Sequence, residues 1–166
     1  MIFKPNIKLE KVTDITVGIL NRYGIKALLL DVDNTLSTHN GQELTDGLLE
    51  WIDNMRESGI KMIVLSNSTP KRLRPFAEKI GLDFLSWGLK PLPFGYLRAL
   101  KRLNTKRKET AIVGDQIFTD VLGGNFLGVK TILLTPIKFE NTQFFRFKRK
   151  IEAFLIKRLK IVNTEE

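Results

Sequence analysis

Four short polar clusters carry the residue types that phosphate chemistry needs, and each one follows or ends an apolar run. Asp31-Val32-Asp33-Asn34-Thr35 ends the first run and Ser66-Asn67-Ser68 the second. Lys90-Pro91 follows the third, and Gly114-Asp115-Gln116 through Thr119-Asp120 follows the fourth. Two carboxylates one residue apart, joined by Asp115 from elsewhere in the chain, make a hard oxygen site suited to Mg²⁺. The ion answers a physical difficulty, because a carboxylate nucleophile and a phosphate ester repel each other. Its charge offsets that repulsion. One aspartate can then take the phosphoryl group, and a second can protonate the leaving alkoxide before accepting a proton from water. The Ser66 hydroxyl and the Lys90 ammonium suit the remaining phosphate oxygens.

These residues need a frame that brings four strand ends together. Lys26–Val32, Lys61–Leu65, Asp83–Trp87, Thr110–Val113 and Val129–Leu134 are apolar runs. Several are uninterrupted, as Ala27-Leu28-Leu29-Leu30 is, which marks strands covered on both faces. Between them lie helical patterns. Leu44, Leu48, Leu49, Ile52 and Met55 recur at helical spacing up to Gly59. Ser68-Thr69-Pro70 reads as a cap, with Ser68 the capping residue, before a helix reaching Ile80. Pro93–Leu103 and Thr119–Leu127 predict two more, and Thr13–Tyr23 one before the first strand. Strands alternating with single helices predict an α/β fold: one domain over residues 1–166, with a mainly parallel five-stranded sheet. In such sheets ligands bind at the carboxyl ends of the strands, where all four polar clusters fall.

At this point the chain resembles the haloacid dehalogenase (HAD) superfamily phosphatases. Asp31-Val32-Asp33-Asn34-Thr35-Leu36, Ser66, Lys90 and Gly114-Asp115…Asp120 match the four motifs of that superfamily in order, across Lys26 to Leu134. Asn34 and the stretch from Thr119-Asp120-Val121 to Gly123-Gly124-Asn125 resemble the YqeG-type branch of subclass IIIA. The resemblance implies a Rossmann-like three-layer sandwich. It makes Asp31 the nucleophile and Asp33 the general acid and base. It assigns Mg²⁺ to the Asp31 carboxylate, the Asp33 main-chain carbonyl and Asp115. Ser66, Asn67 and Lys90 hold the phosphate, while Thr35 and Asp120 act from behind, Asp120 by orienting Lys90 or a metal-bound water. The chain departs from the branch at Gly88-Leu89, where relatives more often carry a polar or basic pair.

Charge adds a second theme. Twenty-seven Lys and Arg face 18 Asp and Glu, a formal net charge of +9, and there is no cysteine. The latter excludes disulfide scaffolds and thiolate metal sites. Residues 143–160 read as a basic amphipathic helix, with seven cations against Glu152 alone. Phe144, Phe147, Ile151, Phe154, Leu155 and Leu159 fall on one face, which either covers the sheet or docks on anionic membrane. The excess charge thus sits mainly on one helix that the chemistry does not require.

No run is long enough to span a bilayer, and the N-terminus lacks the apolar stretch of a signal peptide. The expected location is cytoplasmic, with peripheral contact at a membrane. Only 29 residues separate Leu36 from Ser66 and fewer lie between Ser68 and Lys90, too little for an inserted cap domain. An open site suits a substrate whose own bulk covers it. YqeG-like proteins resemble the mitochondrial phosphatidylglycerophosphate phosphatase, which makes that phospholipid the leading substrate. A polynucleotide 3′-phosphatase is the alternative enzyme, and an RNA- or ribosome-associated binding protein the alternative without catalysis. A binding module has no use for Asp31, Asp33, Ser66, Lys90 and Asp115 together. His39 reads as a solvated loop residue, Trp51 and Trp87 as core or edge residues, and the oligomeric state is left open.

Overall fold

The computed structural model describes residues 1–38, 43–138 and 143–164. His39 and the side chains of Phe144 and Phe145 lie outside the described residues. The strands are β1 (Ile7–Leu9), β2 (Ala27–Leu30), β3 (Lys61–Leu65), β4 (Phe84–Leu85), β5 (Thr110–Gly114) and β6 (Lys130–Leu134). They pair in the order β1-β6-β5-β2-β3-β4, parallel throughout. From β2 the chain builds outward through β3 and β4, then returns to the other side of β2 to lay down β5 and β6. The reversal lies between β2 and β5, so the crevice at their carboxyl ends is the natural ligand site.

The sheet is covered on both faces, which is why its strands lack alternation. Leu28, Leu30, Met62, Val64 and Val113 pack on one side with α1 (Val17–Arg22), α2 (Leu48–Glu57) and α3 (Pro70–Ile80). Leu29, Ile63, Leu65 and Ile112 pack on the other with α4 (Pro93–Leu103) and Leu127 of α5 (Leu122–Leu127). Burying each of these side chains is worth about 2 kcal/mol of transfer free energy. The result is the three-layer sandwich expected.

Several local expectations need correction. The sheet has six strands among the described residues, not five. β1 is a three-residue edge strand with Lys8 at its centre, too short and too interrupted to read as an apolar run. The helix expected over Thr13–Tyr23 is broken into a 3₁₀ turn, Val12–Asp14, and α1, whose Thr16 cap accepts from the Ile19 N–H. α3 is capped by Thr69, not by Ser68: the Thr69 hydroxyl accepts from Arg72 N–H. The helix expected over Thr119–Leu127 begins as a π turn, Ile117–Val121, before α5.

The last helix, α6 (Gln143–Arg158), differs most from its reading. Its inward face is Arg149, Glu152, Leu155 and Ile156, the last two packed near Ile117, Val121 and Leu133. Phe147 and Phe154 stand in solvent, 65% and 58% exposed. Of the expected apolar face, Leu155 packs toward the sheet while Phe147 and Phe154 do not cover it. Among the described residues no helix is long and apolar enough to cross a membrane.

Candidate active site

β2 delivers Asp31, whose N–H donates to Val113 O at 2.9 Å, so the first residue beyond the strand is still tied to β5. The chain then turns sharply. Leu36 and Ser37 N–H both donate back to Val32 O, at 2.9 and 3.1 Å, and Asn34 takes a left-handed conformation with φ of 57°. Asparagine and glycine tolerate that region best, which is the physical reason for asparagine here.

β5 delivers Asp115, and the π turn after it brings Asp120 back beneath the strand end. The Asp120 carboxylate passes so close to the backbone that a Cβ at residue 114 would lie 2.2 Å from its Oδ2. Gly114 is therefore needed for close approach. From the far side of the sheet comes Lys90. Its Nζ donates to Asp31 Oδ1 at 2.8 Å and to Asp120 Oδ1 at 2.7 Å, and all three side chains are buried. Of the two tasks expected for Asp120, the contact made here is the one with the lysine. The Asn67 amide grips the Lys90 backbone at both ends, accepting from its N–H at 2.7 Å and donating to its carbonyl at 3.0 Å. Expected on the phosphate, Asn67 lines the cleft and also positions Lys90 through its amide.

The electrostatics follow from burial. It pushes the Asp31 carboxyl up to about 7, with Lys90 pulling it down and Asp120 adding to the rise. It pushes Asp115 up to about 8, against the pull of Arg149. Burial pulls the Lys90 ammonium down, but Asp120 and Asp31 together outweigh it and hold it above its ordinary range. Carboxyl oxygens of Asp31, Asp115 and Asp120 lie within 4.8 Å of one another, an arrangement that can hold a metal ion. Asp115 Oδ1 supports that fit independently: it is buried and makes no hydrogen bond. An orphaned carboxylate oxygen beside two further buried carboxylates suits a divalent cation.

Asp33 is partly buried, and Arg72 Nη2 donates to its Oδ1 at 2.5 Å. Ser66 Oγ accepts from Ser68 N–H at 3.1 Å, which leaves its own hydrogen to be donated. Asp31, Asp33, Ser66, Asn67 and Lys90 line one cleft of about 210 Å³, together with Ser68, Arg72, Gln116 and Thr119. Thr35 is buried with its hydroxyl unpartnered, outside the cleft lining.

Two arginines at the site escaped the reading of the sequence. Arg72 follows the Thr69 cap by three residues, in the first turn of α3, and that helix phase was legible. Arg149 had no local signal. From the sixteen-residue α6 its guanidinium pairs with the Asp115 carboxylate, donates to the Asp115 carbonyl at 2.9 Å, and meets Glu152 at 2.9 Å. Lys148 beside it bonds Gln116 on the cleft wall. The basic helix, which the chemistry was not expected to require, is thus latched onto the site.

Fold and site together define a class. The chain belongs to the haloacid dehalogenase-like hydrolases, whose family profile matches residues 38–128. Within that family it is a phosphatase of YqeG type. It is 34% identical over 158 residues to the probable phosphatase YqeG of Bacillus subtilis, covering 95% of this chain and 92% of that one. It is also 24% identical over 169 residues to the mitochondrial phosphatidylglycerophosphatase GEP4 of Saccharomyces cerevisiae, covering 92% and 89%. Among solved structures, a possible sugar phosphatase of the HAD superfamily from Cytophaga hutchinsonii superimposes with a TM-score of 0.66. That pair shares 15% identity and covers 95% of this chain and 96% of that one.

Proposed function

We propose that the chain hydrolyses a lipid-borne phosphomonoester, phosphatidylglycerophosphate in the first place, through a phosphoaspartyl intermediate on Asp31. The observation that carries the chemistry is the shared cleft, in which Asp31 meets Lys90, Ser66 and Asp33. Lys90 engages Asp31 Oδ1, which leaves Oδ2 to attack phosphorus. As the P–O bond to the alcohol breaks, Asp33 protonates the departing oxygen. In the second half Asp33 takes a proton from water, whose oxygen displaces Asp31 and releases inorganic phosphate. Lys90 and the Ser66 hydroxyl neutralise and orient the phosphoryl oxygens throughout, and Arg72 sets the direction of the Asp33 carboxyl. Asp31, Asp115 and the Asp33 carbonyl would hold Mg²⁺, which supplies charge stabilisation for the transferring group.

The lipid reading has separate support. The yeast relative is named for that lipid. The cleft is rimmed by cations from α3 and α6, and the exposed aromatics of α6 lie beside Arg146, Lys150 and Lys157, a composition suited to peripheral contact with anionic lipid. On this reading the enzyme works from the cytoplasm at a membrane surface.

Phosphate release from phosphatidylglycerophosphate in mixed micelles with Mg²⁺ tests the substrate, set against soluble sugar and nucleotide phosphates. Preference for the lipid is expected; cleavage of soluble phosphates alone would remove the lipid from the proposal. Asp31→Asn should lower turnover of every substrate by about a thousandfold or more. Residual activity near wild type would mean another nucleophile.

A further inference from the structure

The segment joining β4 to α4 is apolar where a loop at a catalytic rim is ordinarily polar. Trp87, Leu89, Leu92 and Phe94 all stand exposed, and Leu97 follows one turn into α4. Trp87 is 54% and Phe94 60% exposed. Single apolar residues on a surface need no explanation, but five within eleven positions form a patch, and such patches mark interaction sites.

The backbone holds these side chains outward. Trp87 N–H donates to Ser68 O at 3.0 Å and Gly88 N–H to Ser66 O at 2.9 Å, while Asn67 grips Lys90. Trp87 and Leu89 both take left-handed φ values, 50° and 53°, which bulky L-residues avoid. In consequence the chain alternates: Trp87 and Leu89 point out, while Gly88 and Lys90 pack inward. The pattern continues into α4. Phe94 is exposed, while Gly95 lies so close beneath the loop that a Cβ there would be 2.2 Å from Gly88 O. A collapsed loop would bury its apolar side chains, whereas this one is braced to display them.

The surroundings identify what the patch fits. From Phe84 to Arg98, through the loop and the first half of α4, the chain contains no acid, and its cations are Lys90 and Arg98. Arg98 donates to Ser86 O at 2.6 Å, directly under the patch. Across the cleft, Lys148 bonds Gln116 on the opposite wall, and Phe147 next to it is exposed. Both rims of the phosphate cleft therefore combine exposed aromatics with cations. A second copy of this chain would carry the same net charge of +9, and like net charges oppose self-association. An anionic lipid surface supplies what the patch lacks: apolar depth for Trp87, Leu89, Leu92 and Phe94, and headgroup phosphates for the flanking cations.

We propose that the β4–α4 loop is a membrane-docking surface, inserting Trp87, Leu92 and Phe94 into the headgroup region of an anionic bilayer beside the cleft. The inference deepens the lipid-phosphate reading and rests on it for its purpose, although the contact itself is measured without turnover. Trp51 is 5% exposed, so the environment-sensitive part of the tryptophan emission belongs to Trp87.

The test adds vesicles of phosphatidylcholine, with and without phosphatidylglycerol, to the full chain. Expected are a blue shift with the anionic vesicles, its loss in Trp87→Phe, and about a tenfold weaker vesicle sedimentation for Leu92→Ser/Phe94→Ser. That double variant should turn over p-nitrophenyl phosphate at the wild-type rate, which also shows that it is folded. An unshifted Trp87, equal response to neutral vesicles, or a shift that follows protein concentration without lipid would each overturn the proposal. The last outcome would point to a second copy. If Trp87 shifts but phosphatidylglycerophosphate is not cleaved, the substrate reading fails and the docking surface stands. If the lipid is cleaved in micelles while Trp87 stays in water, the docking surface fails alone.

Discussion

Arg149 changes the chemistry of Asp115 more than any other residue the structure brings to the site. Its guanidinium occupies one carboxylate oxygen and the main-chain carbonyl of Asp115. Buried Glu152 balances it, and its other oxygen accepts from Ile117 N–H at 3.0 Å. A metal ion and a guanidinium compete for the same negative charge in a buried setting where charges interact strongly. Replacing Arg149 with glutamine is therefore expected to tighten Mg²⁺ binding about three- to tenfold, read by titration calorimetry on substrate-free protein. Weaker binding in the variant would assign Arg149 the opposite task of holding Asp115 in its ligating position. Lysine is not expected to substitute for it, because the two Asp115 contacts use two arms of a planar fork.

The elements show why the candidate site residues could be picked out before the fold was known. β2, β3 and β5 read clearly because both of their faces are buried, and a strand end followed by Asp, Ser or Asp has a local signature. The π turn Ile117–Val121 has none. It turns Asp120 back onto Lys90 and seats the Tyr96 hydroxyl, which donates to Thr119 O at 2.9 Å. Gly114→Ala tests this element. The new methyl would overlap the Asp120 carboxylate, and the buried Asp120 has only its side chain to move. A loss of about 1–3 kcal/mol in stability is expected, with turnover falling at least about tenfold as Lys90 loses a partner. Thermal melts and steady-state rates check both. An unchanged turnover would mean that Asp120 does not position Lys90.

At the scale of the molecule, the buried carboxyls couple stability to pH and to metal. Asp31 and Asp115 rise from an ordinary 3.8 to about 7 and about 8 in the fold. The folded chain therefore retains protons that the unfolded chain has already lost between those values. Their contribution is fully present below about pH 4 and is lost as pH rises through 7 and 8. Glu10 and Glu109 are shifted the other way, held below the usual carboxylate range by side-chain hydrogen bonds from Asn163 and Lys26. Their effect falls at lower pH, outside that window. With chelator present, the melting temperature should fall between about pH 5 and pH 8.5. Added Mg²⁺ should raise it more at the upper pH, where the ion no longer displaces protons. An equal Mg²⁺ shift at both pH values would sink the assignment of Asp31 and Asp115 as the coupled groups.

What the sequence determined by itself was the chemistry and its frame. Asp31, Asp33, Ser66, Asp115 and Asp120 were legible because each follows a strand whose burial on both faces leaves a continuous apolar run. Lys90 follows the short, half-buried edge strand β4 and was legible only from its place after the third run. One parallel sheet then delivers all of them to one edge. The sixth strand was not legible, since three residues around Lys8 become a strand only by pairing with β6. Nor was the orientation of α6. Its periodicity places Phe147, Ile151 and Phe154 on one face, but periodicity does not say which face turns inward. Tertiary structure decided that, because an ion-paired Arg149, a hydrogen-bonded Glu152 and packed Leu155 and Ile156 together outweigh an aromatic stripe left in water. The same holds for the β4–α4 loop. Trp87 read as a core or edge residue at the end of an apolar run until a braced backbone turned it outward beside the cleft.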